Sequence, residues 1–309
     1  MANGDTQSGG QKGTANPIGE AASDVGEALQ VRWNAFGPNE RLVIIGGLLV
    51  LGAWILGILL QKWVIDIAAI ITAVAAIVVL VVVAIGAKAA GAFRKAIVRV
   101  GAGLVAAFAM ADLGDLVGSF MTQNAFIALN VRWEGIDTIL VAAVVIGAII
   151  LAFGAWRLTN GNLLTSLIDP VKIAGRSQGA LLIGLGAAVA ILGWTLGGAA
   201  RVVPNLDLGN ALFPTIALLA AVLALSVQWI AGGGAGTLKL PMGADLWLAA
   251  LGIVAGVLVL VWLGGAAGSI FSNRTPILGT IGLVLFILGA VALAAGGVLG
   301  MMGRSAKPA

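Results

Sequence analysis

LVIIGGLLVLGAWILGILL, running from Leu42 to Leu60, holds no charged residue. As a helix rising 1.5 Å per residue it would cover about 28 Å, close to the ~30 Å of hydrocarbon in a bilayer. A soluble chain of 309 residues has no use for many such runs, yet this one has them throughout. The apolar stretches read as eight spans, at 42–60, 64–87, 98–120, 136–156, 178–200, 210–231, 244–264 and 277–302. Glycine and proline mark the joints, as in GPNE (37–40), VVPN (203–206) and LPMG (240–243). The composition agrees, with 60% hydrophobic and 10% charged residues and a mean hydropathy of +1.09. The fold class is therefore an all-α integral membrane protein, a polytopic bundle of about eight transmembrane helices.

The ends differ from this middle. Residues 1–17 are rich in Gly, Ser, Asn and Gln and cannot bury a core, so they are expected to be a disordered polar tail. Residues 18–36 place Ile18, Ala21, Val25, Leu29 and Trp33 at three- and four-residue spacing, which predicts an interfacial amphipathic helix. Residues 42–302 form the membrane domain, and 303–309 a short basic tail.

Charge gives an independent check on the threading. With the N-terminus in the cytoplasm, thirteen Lys and Arg fall inside: Lys12, Arg32, Arg41, Lys88, Arg94, Lys95, Arg99, Arg157, Lys172, Arg176, Lys239, Arg304 and Lys307. Four fall outside, namely Lys62, Arg132, Arg201 and Arg274. That asymmetry is what the positive-inside rule requires, and a wrong number of spans would scramble it. Both termini are then cytoplasmic, in the inner membrane of a prokaryote. Most tryptophans fall at the span ends where an indole belongs. Trp54 and Trp194 are the two that lie clearly inside a span.

Function is less legible. The chain has no His, Cys or Tyr. Thiolate and imidazole metal ligation, Ser-His-Asp and Cys-His catalysis and disulfides are all excluded, so no enzyme, metal or cofactor is expected. The basic residues stand at span ends and are not interleaved with aromatics, which argues against nucleic acid. Asp112 and Asp115 share one helix face within span 3. A carboxylate inside a membrane is costly, and such residues are enriched in ion and proton pathways. The competing reading ends span 3 at Ala111 and puts both aspartates among headgroups. On the cytoplasmic side Lys88, Arg94, Lys95 and Arg99 are candidate contacts to anionic lipid headgroups. A short surface helix is expected around Leu163, Leu164, Leu167, Ile168 and Val171.

One pattern hints at duplication. ALQVRW (Ala28–Trp33), ALNVRW (Ala128–Trp133) and ALSVQW (Ala224–Trp229) lie three spans apart, as degenerate three-span inverted repeats would place them. Gly193–Gly197, Gly252–Gly256 and Gly296–Gly300 have the GxxxG spacing of close helix pairs. Two functions fit: a non-catalytic structural or assembly subunit of a larger membrane complex, packing against other membrane subunits or itself, and a channel or secondary transporter for a cation or small solute using Asp112 and Asp115.

Overall fold

The computed structural model describes residues 30–60 except 32, 67–85, 91–126, 135–159, 178–198, 212–231, 277–305 and most of 238–272. Within these, the side chains of 67, 111–126, 135, 137–138, 265–272, 277–278 and 303–305 are not described. The polar tail 1–17, residues 18–29 and 32 of the 18–36 helix, Lys88, the surface helix expected at 163–171 and residues 306–309 lie outside the described residues. Every described element is helical, and eight long helices follow one another. They are α1 (Pro38–Leu59), α2 (Ile67–Ile85), α3 (Gly91–Phe126), α4 (Gly135–Leu158), α5 (Gln178–Gly198), α6 (Leu212–Ala231), α7 (Ala244–Ser272) and α8 (Ile277–Ser305). Counted over the described residues, seven of them are long and apolar enough to cross a membrane, α3 being the one that does not enter that count.

The surface fits lipid. Leu48, Ile139, Leu185, Leu288 and Val291 all project outward, while Ala, Gly and Val fill the interior. Large residues outside and small ones inside is the arrangement expected when helix contact must come from close packing, because lipid is as apolar as the protein core. Hydroxyls within the helices bond back one turn: Thr72 Oγ1 donates to Ala68 O at 2.8 Å, and Thr195 Oγ1 to Ile191 O at 3.0 Å.

The helices form two four-helix halves, each with its own core. Val43, Val79, Val105 and Leu151 belong to the first, and Ile183, Leu218, Val259 and Leu293 to the second. In each half, the first and fourth helices pack most intimately, and glycine makes that possible. A Cβ on Gly46 of α1 would stand 2.5 Å from Gly147 O of α4 and would also strike Leu151 N. On Gly186 of α5 it would stand 2.7 Å from Gly289 O and Leu293 N of α8. The correspondence continues along both pairs. A Cβ on Gly154 would stand 2.8 Å from Val43 N, and one on Gly296 would stand 2.8 Å from Ile183 N.

The sequence carries the same equivalence. Thr138, Ile139, Gly147, Ala148, Leu151, Ala152 and Gly154 of α4 recur at identical spacing as Thr280, Ile281, Gly289, Ala290, Leu293, Ala294 and Gly296 of α8. Leu42, Gly46, Trp54, Leu56 and Gly57 of α1 recur likewise as Leu182, Gly186, Trp194, Leu196 and Gly197 of α5. These matches join helices four apart in the chain. ALSVQW lies within the last turns of α6; of ALQVRW only Gln30, Val31 and Trp33 are described, and ALNVRW lies outside the described residues.

The glycine spacing also differs from expectation. Gly252 and Gly256 do both face α8, against Leu293 and Ala294. The dominant interval is seven, however: Gly179, Gly186 and Gly193 on α5 meet Gly282, Gly289 and Gly296 on α8. Seven-residue spacing holds one face of each helix against an antiparallel partner along its whole length.

Candidate functional site

All five described Lys and Arg side chains, Arg41, Arg94, Lys95, Arg99 and Arg157, stand at one end of the bundle. The contacts that join the helix ends establish this. Arg94 of α3 pairs with Glu40 of α1, where both side chains are largely buried. The other carboxylate oxygen of Glu40 accepts from Gly37 N at 2.9 Å, so one acid caps α1 and anchors α3. Arg41 donates to the backbone oxygens of Trp33 and Asn34 and lies over the Trp33 ring, tying the segment before α1 to the bundle. Gln228 Nε2 at the end of α6 donates to Ala180 O at the start of α5, at 2.6 Å.

Arg99 occupies the seam between the halves. It comes from α3, donates to Thr159 Oγ1 at the end of α4 at 3.2 Å, and lies 5.0 Å from the ring centre of Trp229 on α6. Thr159 in turn donates to Ala155 O. Among the described residues Arg99 meets no carboxylate; its charge rests on a hydroxyl and an indole face. Beside it a cavity of about 210 Å³ opens among Gly103, Trp156, Ile191, Val222 and Ser226. Of the four expected lipid contacts, then, Arg94 and Arg99 are engaged within the protein and Lys95 is exposed.

Asp112 and Asp115 lie in an unbroken helix, since α3 continues past them to Phe126. Their carboxylates fall outside the described side chains. At 1.5 Å per residue they stand about 20 Å along the axis from Arg99, away from the basic end. Among the described residues, no three Asp or Glu gather as a metal site would require.

Deeper along the seam, Trp194 is buried between Phe108 of α3 and Phe286 of α8, with ring centres 5.9 and 6.0 Å away. Its Nε1 finds no hydrogen-bond partner among the described residues. The sequence reading marked Trp194 as lying inside a span, together with Trp54. It missed that the two are equivalent, a relation the shared Trp-x-Leu-Gly (54–57 and 194–197) would have revealed.

The chain matches no protein-family model, no curated protein and no solved structure. Its function is therefore argued from the geometry alone.

Proposed function

We propose that this chain is a non-catalytic polytopic membrane protein that scaffolds or assembles a larger membrane complex. Its eight helices all cross the membrane, with the basic end in the cytoplasm and that end drawn to anionic lipid. The inclusion of α3 rests on its equivalence with α7, which is long and apolar enough to span. We take the repeat unit to be four helices in parallel, in place of the three-span inverted unit suggested by the hexapeptides.

What supports the scaffold reading is the backbone contact between α1 and α4 and between α5 and α8. Glycines there meet carbonyl oxygens and amides, along most of α5 and over part of α1, leaving the first and fourth helices of each half no room to part without losing the packing that holds them. Extraction in mild detergent, followed by particle mass and identification of stoichiometric companions, tests it. A larger assembly is expected, and a lone monomer would overturn it.

The continuity of α3 through Asp112 and Asp115 keeps a second reading, a cation or small-solute pathway. That reading requires Asp112→Asn or Asp115→Asn to abolish flux in liposomes while assembly survives. Under the scaffold reading neither variant changes the particle.

A further inference from the structure

The two halves meet in an asymmetric way. The first half offers α3, and the second receives it on α5 and α6. A Cβ on Gly103 of α3 would lie 3.5 Å from Val222 Cγ1 of α6, and Phe108 of α3 meets Trp194 of α5 edge to face. Among the described residues no reciprocal contact joins α7 to α1 or α2 at comparable strength. Since the halves are built alike, this leaves two surfaces over: the α7 counterpart of the α3 face, and the α1–α2 counterpart of the α5–α6 face.

Ala75, Ala76 and Leu80 of α2 recur at identical spacing as Ala220, Ala221 and Leu225 of α6, and Leu113, Gly114, Gly118 and Ser119 of α3 as Leu263, Gly264, Gly268 and Ser269 of α7. Exposure can be compared in that register. Val222 and Ser226 on α6 are 4% and 7% exposed, while Ile77 and Val81, their counterparts on α2, are 49% and 50% exposed. Ala107 on α3 is 4% exposed, while its counterpart Val257 on α7 is 52% exposed. The positions that each helix buries within its own half agree: Ala75, Ala76 and Val79 on α2 match Ala220, Ala221 and Ala224 on α6, and Val98, Val105 and Ala109 on α3 match Leu248, Ala255 and Val259 on α7. What differs between the halves is the single face that the seam covers. Trp54 sits on the edge of the uncovered surface, half-buried, where its equivalent Trp194 is enclosed by the opposing half.

We infer that a second copy of this chain covers these surfaces, the α7 face of one copy docking on the α1–α2 face of the next in the geometry of the internal seam. The contact is heterologous, so successive copies close into a ring about the membrane normal or extend as a row in the plane of the bilayer. Each chain contains both complementary surfaces, and the seam shows that such surfaces pack. The inference rests on the assembly reading above and names the partner.

The absence of cysteine makes the test clean. The internal pair Gly103 and Val222 corresponds to Ile253 and Ile77. Chains carrying Ile77→Cys and chains carrying Ile253→Cys are co-expressed and oxidised in native membranes. A cross-linked dimer is expected, and a chain with both substitutions should give a ladder of higher multimers. Gly103→Cys with Val222→Cys in one chain calibrates the reaction inside the seam. Leu185→Cys with Leu288→Cys, on exposed faces away from either surface, measures random collision. Trp54→Ala should lower the Ile77–Ile253 yield several-fold without altering the internal pair. Cross-linking no faster than the collision pair, while the calibrating pair reacts, would overturn the proposal. If other proteins nevertheless co-purify in fixed ratio, the scaffold reading stands without self-association; a lone chain that conducts ions removes both.

Discussion

At the scale of single residues, glycine decides how near two helices come, and the sites differ sharply in what they tolerate. Gly186→Ala would press a methyl group against Gly289 O and Leu293 N, both backbone atoms that cannot swing aside. We expect it to destabilise the protein by about 1–3 kcal/mol. Gly52 of α1 has nothing within 4 Å of a built Cβ, so Gly52→Ala should cost nothing and gain up to about 1 kcal/mol from helix propensity. Thermal unfolding followed by tryptophan fluorescence in one detergent compares the two, and equal melting temperatures would contradict the packing described. Glu40 permits a second comparison. Glu40→Gln leaves the Arg94 guanidinium largely buried with its charge partner gone, and Arg94 Nε already lacks a hydrogen-bond partner among the described residues. A loss of about 1.5–3 kcal/mol is expected. It should shrink in an Arg94→Met background, where no charge is left stranded.

At the scale of the helix, each span was legible because twenty apolar residues in a row admit few other structures. Leu42–Leu60 ends within one residue of α1 and begins four residues inside it, and the expected spans overlap the eight helices throughout. What the sequence concealed was which face of each helix looks inward. In lipid both faces are apolar, so hydrophobic periodicity, the usual guide, is nearly silent. Residue size carries the information instead, and only the heptad of glycines on α5 and α8 makes it audible. The candidate site suffered more. Arg94 and Arg99 read as lipid contacts because nothing local in the sequence pairs them with Glu40 or places Trp229 beneath a guanidinium. Helix α3 shows the consequence: one face packs within its own half, another carries Phe108 into the second core. Trp194→Ala should therefore cost about 3–5 kcal/mol by emptying a site shared by three helices. Trp54→Ala, at the equivalent but half-open position, should change the melting temperature of the isolated chain much less. A similar loss at both positions would mean that Trp54 is as enclosed as Trp194.

At the scale of the whole molecule, the four-helix repeat fixes orientation. An even number of spans returns the chain to its starting side, so the two halves must stand parallel. The parallel arrangement agrees with Arg99, near the start of α3, meeting Trp229 near the end of α6, and with Gln228 of α6 reaching Ala180 at the start of α5, and it depends on α3 crossing. If α3 lay on the surface, seven crossings would remain, and everything after α4 would face the opposite way. Single cysteines in the cysteine-free chain separate the two cases. Ala35→Cys, ahead of α1, and Asn160→Cys, between the halves, should react with a membrane-impermeant thiol reagent from the same side, and Ala306→Cys with them. Asn273→Cys, between α7 and α8, should react only from the other side. Were Ala35→Cys and Asn160→Cys to label from opposite sides, α3 would not span and the halves would be antiparallel. The head-to-tail contact would then fail as well, because the α7 face of one copy could meet the α1–α2 face of the next only with the two copies upside down to each other.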